Sequence, residues 1–185
     1  YVENGNWQYK DGVYKDENNE LWSWWWYLND NKEMEGHYVD GRKNGIWTWW
    51  FDSGIKQSEG HYVDDEQDGL WSYFSKDGSI AEEITFSGGK RDGRSTVWLT
   101  PEEKQEEKFY KNGKLDGPST FWENGYRSTM TTYKSDSPEG PWVIWFSNSD
   151  QIKEQGFHQK GIREGLTTYY YEDGTMQREG FFKEG

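Results

Sequence analysis

The sequence predicts an all-β fold: an elongated single-layer antiparallel meander of seven consecutive β-hairpin repeats. Three observations carry this. Glycines recur 24 residues apart, as Gly36 and Gly60, Gly45 and Gly69, Gly54 and Gly78. A fixed period in that range is the mark of a repeat architecture. The fifth residue after the central anchor, glycine in all units but the first, is aromatic in every unit: Trp25, Trp50, Phe74, Trp98, Trp122, Trp145 and Tyr170. Between the glycines run five to eight residues of aromatic, Ser, Thr and Val character, bounded by turn formers, which reads as strands.

Taken in order, the units are anchored at Glu20, Gly45, Gly69, Gly93, Gly117, Gly140 and Gly165. Residues 1–11 hold Trp7 and Tyr9 in strand-like alternation and are expected to form an N-terminal strand or cap. Residues 12–179 are expected to hold seven repeats, and 180–185 the opening of a truncated eighth. No linker composition interrupts them, so one continuous array is expected. An aromatic stands seven residues before the anchor in five units, as Tyr38, Tyr62, Phe86, Tyr110 and Tyr133. Tyr14 and Phe157 take that place in the outer units after a one-residue shift.

Two kinds of turn alternate. Asp52-Ser53-Gly54, Lys76-Asp77-Gly78, Glu123-Asn124-Gly125 and Glu172-Asp173-Gly174 each reverse the chain, with Gly supplying positive φ. Gly41-Arg42-Lys43-Asn44-Gly45 and its copies are expected to make the other turn. The first, fourth and sixth units depart most: Glu20 replaces the anchor glycine, Ile84 stands where Gly36 and Gly60 stand in the units before it, and Pro138 and Pro141 bracket Gly140.

Alternation along a strand then sorts side chains onto two faces. The first, third and fifth residues after the anchor share one face. Its unfailing fifth-position ring is expected to be structural, an aromatic ladder joining hairpins. Gly45, Trp50, Gly54, Gly69, Phe74, Gly78, Trp98, Trp122, Trp145 and Tyr170 are therefore assigned to building the sheet. The opposite face holds the second, fourth and sixth residues and is richest in the first three units. Trp22, Trp24, Trp26, Trp47, Trp49, Phe51, Trp71 and Tyr73 are the expected partner-binding surface. The competing reading is that this face packs inward.

Composition narrows the function classes. Only 31% of residues are hydrophobic and 19% are aromatic, so rings supply most of the apolar surface. A net charge of -13 opposes nucleic-acid binding and favours a basic protein partner. It also ranks membrane-surface binding last. Cysteine is absent, excluding disulfides and thiolate chemistry. The chain begins at Tyr1 with no initiator Met or signal-like segment, as expected of a processed or trimmed product.

Gly36, Tyr38, Gly41, Gly45, Trp47, Trp50 and Gly54 make the pattern Gly-x-Tyr-x-x-Gly…Gly-x-Trp-x-x-aromatic…Gly, and the next unit repeats it. The pattern resembles the MORN repeat family, and more closely its bacterial variant with units near 24 residues. The resemblance covers roughly residues 12–185. It implies a sheet of successive hairpins used as a binding scaffold, often in bacterial antitoxin or immunity proteins, with others at the cell surface or linked to phospholipid.

No catalytic or cofactor motif is present. Gly88-Gly89-Lys90 lacks the helix a phosphate loop needs. His37 and His61 share a column, but adjacent repeats stand about 10 Å apart, too far for zinc bonds near 2 Å. No metal, no cofactor and no enzymatic activity are expected. The leading expectation is a non-enzymatic immunity or antitoxin protein that occludes a basic toxin. The alternative is a secreted or surface carbohydrate-binding adhesin, which an upstream signal peptide would favour.

Overall fold

The computed structural model describes residues 14–15 and 20–25 by their backbone and residues 31–183 in full. Among them every regular element is a strand. The chain divides into two compact units, Tyr1–Lys90 and Arg91–Gly185. The first contains β1 (Tyr14–Lys15), β2 (Glu20–Trp25), β3 (Lys32–Val39), β4 (Arg42–Trp50), β5 (Lys56–Val63), β6 (Glu66–Phe74) and β7 (Ile80–Ser87). The second contains β8 (Lys90–Thr100), β9 (Glu103–Lys111), β10 (Lys114–Glu123), β11 (Tyr126–Lys134), β12 (Ser137–Trp145), β13 (Ile152–Gln159), β14 (Ile162–Tyr170) and β15 (Met176–Phe182). Within each unit the hydrogen-bonded neighbours follow chain order and every pairing is antiparallel. This is the meander of hairpins that the 24-residue period predicts. The expected cap over residues 1–11 lies outside the described residues.

One kind of turn is tighter than the sequence suggests. The chain reverses through two residues, Asp40-Gly41, both at positive φ (51° and 76°). Asp64-Asp65, Gly88-Gly89, Asn112-Gly113, Ser135-Asp136 and Lys160-Gly161 do the same. Positive φ at both central residues is the two-residue hairpin turn whose twist matches that of the strands. The anchor glycine is therefore not part of the turn. Gly45, at φ 76°, sits inside β4 where the register jumps from Asn44 opposite His37 to Thr48 opposite Glu35. The same irregularity recurs at Glu59/His61, Leu115/Ser119, Thr131/Tyr133 and Gln155/Phe157. A glycine is needed there because the bulge turns the backbone left-handed.

A second irregularity lies between the fourth and fifth residues of all seven units, at Trp24/Trp25, Trp49/Trp50, Tyr73/Phe74, Val97/Trp98, Phe121/Trp122, Ile144/Trp145 and Tyr169/Tyr170. The extra residue stands on the returning strand, as Gln57 does between the partners of Trp49 and Trp50. Gly54 and Gly78, at φ 85° and 88°, close the longer turns that follow. Phe51 and Ser75 donate backbone N–H bonds of 2.8 Å across them to Ile55 and Ser79.

Successive hairpins are tied at their tight turns. Asp65 donates its N–H to the Lys43 carbonyl (3.0 Å), and Lys43 returns its N–H to the Asp65 carboxylate (2.8 Å). Asp136 and Leu115 repeat this at 2.9 and 2.8 Å. In both cases a turn carboxylate satisfies a backbone donor one unit earlier.

The core is the second position after the anchor. Trp47, Trp71, Ser95, Ser119, Trp142 and Thr167 are all buried. Trp47 and Trp71 fit because the strand beside them carries glycine. A Cβ on Gly36 would stand 2.1 Å from the Trp47 ring, and one on Gly60 2.1 Å from Trp71. Each indole then donates Nε1–H to the carbonyl that follows the glycine, His37 or His61, at 3.1 Å. Burying a ring of this size stabilises by several kcal/mol, roughly 25 cal/mol per Å² over about 200 Å².

Candidate functional site

The first unit carries a continuous run of rings on its tryptophan face. Trp47 meets Tyr38 edge-on at 4.9 Å and Trp49 at 5.7 Å. Trp49 continues to Trp71 at 5.7 Å and to Tyr62 at 6.2 Å. Tyr62 meets Trp71 edge-on at 5.0 Å, and Tyr73 and Phe86 flank Trp71 at 6.2 and 6.4 Å. Alternation places Trp49 and Tyr73 on this face, and the seven-before column supplies Tyr38, Tyr62 and Phe86.

Burial divides the run into two layers. Trp47 and Trp71 have 0% and 2% of their surface exposed and present nothing to a partner. The expectation that they are contact residues is corrected: neighbouring glycines let both indoles sink to the backbone, where other rings cover them. Trp49, Tyr38, Tyr62, Tyr73 and Phe86 are half-buried and make the accessible layer. Phe51 lies in the turn after β4 and makes no ring contact among the described residues, because the strand ends at Trp50 before alternation reaches it. Of the remaining expected contacts, Trp22 and Trp24 are traced in β2 by backbone alone, and Trp26 lies outside the described residues.

Polar groups rim this layer. Lys43 Nζ stands over Trp47, Trp49 and Tyr62 at 4.6, 5.3 and 5.1 Å. Gln67 Nε2 reaches the Tyr73 hydroxyl at 3.4 Å, and Asn44 meets Asp64 at 3.4 Å. Burial, with the neighbouring Tyr73, Asp65 and Tyr38, raises the Tyr62 phenol above its ordinary value of 10.0. Burial and Asp65 do the same to Tyr38. Both phenols stay protonated and remain hydrogen-bond donors at neutral pH.

Among the described residues the fifth-position rings show no stacking from hairpin to hairpin. Each that makes a described ring interaction is faced by a cation: Lys32 over Trp50 (5.2 Å), Lys56 over Phe74 (5.7 Å), Lys104 over Trp122 (5.5 Å) and Arg127 over Trp145 (4.8 Å). Lys32, Lys56 and Lys104 also pair with Glu35, Glu59 and Glu107 three residues on. Thr48 Oγ1 adds a bond to Glu59 at 3.0 Å, and these partners hold the Glu59 carboxyl below its ordinary value of 4.5. Trp98 is half-buried, and the Tyr170 hydroxyl accepts from Gln155 at 2.8 Å. Among the described residues the ladder between hairpins thus lies on the tryptophan face, and Trp50, Phe74, Trp122 and Trp145 serve as platforms for cations.

In the second unit the tryptophan face is thinner. Ser95, Ser119 and Thr167 occupy the core column, and only Trp142 is an indole. Arg163 covers Trp142 at 4.1 Å, and His158 stands 5.8 Å from it. Burial first, then Arg163, lowers the His158 imidazole below its ordinary 6.5. Among the described residues no group of three or more His, Asp or Glu is arranged to hold a metal ion.

Residues 43–64, 67–87 and 163–184 match the model of the MORN repeat variant. No curated protein matches the chain. The matched segments fall in both compact units and carry the same hairpin, the same glycine bulge and the same aromatic columns. The chain carries MORN variant repeats at these three places.

Proposed function

We propose that this protein is a non-catalytic protein-binding scaffold whose contact surface is the half-buried ring layer of the first unit. The observation that carries the reading is the two-layer build. Trp49, Tyr38, Tyr62 and Tyr73 rest on the buried indoles of Trp47 and Trp71. Rings already held in place lose little freedom when a partner covers them, which is the character of interface hot spots. The rim supports a protein over a flat apolar ligand, since phenol donors, Lys43 and Gln67 offer directional bonds beside the rings. The net charge of -13 would speed encounter with a basic partner. Glu59, Asp65 and Asp136 each bond within the sheet, so these carboxylates serve the hairpins.

The finer reading is an immunity protein that occludes a basic toxin. Co-expression with a basic toxin partner should restore growth, and Trp49→Ala with Tyr73→Ala should weaken capture at least tenfold while the melting transition persists. Growth protection that is unchanged in the double variant would sink this assignment of the surface. A glycan is the second reading, because half-exposed rings also stack on sugars. Binding on a glycan array, lost in the same double variant and with no protein partner captured, would favour it.

A further inference from the structure

Lys43 meets the ring layer of the first unit differently from the lysines on the opposite face. Its Nζ stands 4.6 Å from Trp47, 5.3 Å from Trp49 and 5.1 Å from Tyr62, so three rings box a single ammonium. The rings brace one another, at 5.7 Å between the indoles and 6.2 Å from each indole to Tyr62. Lys32, Lys56 and Lys104 each face one ring and each pair with a glutamate three residues on. Among the described residues no carboxylate pairs with the Lys43 ammonium, and ring faces hold it. Trp47 is fully buried, and this flexible four-carbon stem is the part of its cover that can swing away.

The box is negative at its rim. Asp65 stands on the tight turn beside it, its carboxylate on the Lys43 N–H at 2.8 Å, and its charge reaches the phenols of Tyr38 and Tyr62. Ring faces are themselves negative, so rings and carboxylate together suit a cation. A guanidinium fits such a place better than an ammonium. Arg163 lies 4.1 Å from Trp142 and Arg178 3.9 Å from Tyr169, whereas among the described residues no lysine ammonium comes nearer to a ring than 4.6 Å. The planar guanidinium is also the more weakly hydrated of the two and gives up less on leaving water.

We propose that the box of Trp47, Trp49 and Tyr62 is a binding site for an arginine side chain of a basic polypeptide, and that Lys43 is the resident cation which this arginine displaces. One cation replaces another, so the charge over the rings is unchanged and Trp47 stays covered. The incoming guanidinium lies over the indoles with Asp65 at its edge. Lys43, once off the rings, keeps three donors at the rim for acceptors on the partner. The net charge of -13 favours approach of a segment of that sign. This rests on the reading of the ring layer as the contact surface and names the side chain that the layer takes.

The probe is N-acetyl-arginine amide, titrated into the isotope-labelled 185-residue protein while NMR follows the indole Nε1–H signals of Trp47 and Trp49. Saturable shifts of both signals are expected, and the uncharged isostere N-acetyl-citrulline amide should bind at least tenfold more weakly. Lys43→Ala empties the box and should tighten the arginine probe at least fivefold. Lys43→Arg installs a stronger competitor and should weaken it by a similar factor. Lys43→Met, which keeps an apolar stem over Trp47, should also tighten it and serves if the alanine variant does not fold. Absence of a shift at both indoles, equal binding of the citrulline probe, or an affinity indifferent to residue 43 overturns the proposal. The assay contains no protein partner, so it can fail while capture by the ring layer persists. Capture can likewise fail while the probe still binds, which would count against the ring-layer reading instead.

Discussion

Gly60 and Gly45 are both recurring parts of the repeat pattern, yet they are glycine for different reasons. Gly45 has φ 76° and open space around its missing Cβ, so alanine there costs backbone strain of about 1 kcal/mol. Gly60 has ordinary strand geometry, but alanine would collide with the buried Trp71 ring at 2.1 Å. Overpacking of that kind costs about 1–3 kcal/mol or more. Urea denaturation should therefore rank Gly60→Ala as the more damaging, even though Gly45 has the rarer backbone. The reverse ranking would mean that Trp71 can move aside cheaply. His158 is the residue whose protonation should be felt. Its folded-state pKa is depressed by burial and by Arg163, so the unfolded chain takes up a proton more readily. Stability from the second unit is then complete above pH 6.5 and declines as pH falls below it. An NMR titration should find the His158 midpoint below 6.5, and Arg163→Gln should raise it.

At the scale of elements, the paired strands are registered by bulges and tied by turns. Asp65→Ala removes the acceptor for the Lys43 N–H and should cost about 1 kcal/mol, while Asp65→Asn, which keeps an oxygen, should recover much of it. Equal loss in both variants would assign the effect to the turn's left-handed backbone, since Asp65 sits at φ 71°. The hairpins themselves were legible from glycine spacing and turn residues, because those signals are local. Faces were legible only in part. Alternation placed Trp47, Trp49, Trp71 and Tyr73 together correctly, since no bulge falls between them within a strand. It said nothing of depth, and it did not foresee the cation that faces Trp50. The reason is that Lys32, Lys56 and Lys104 lie opposite or one strand away, and nothing in their local sequence announces a ring beneath them.

At the scale of the whole molecule, contacts within each compact unit run between adjacent strands, so stability should add up hairpin by hairpin. Hydrogen exchange on Gly60→Ala should show protection falling in β4 to β7 and persisting in β12 to β14. A uniform fall across both units would instead show one cooperative transition. The charge of -13 belongs to this scale as well. Association with a basic partner should slow as salt rises, with less effect on dissociation, because long-range steering is screened while buried ring contacts are not.

By itself, the sequence determined the repeat, the strand content and the longer turns, because period, aromatic spacing and Asn/Asp-Gly pairs act over a few residues. It also placed the rings on the right strands. Only the tertiary structure decided which indoles are core and which rings are surface, because that depends on glycine in the strand alongside. Gly36 and Gly60 draw Trp47 and Trp71 down to the backbone and leave Trp49 and Tyr73 half-exposed. The depth of a ring is set by the neighbour across the ladder and not by the residues beside it in the chain.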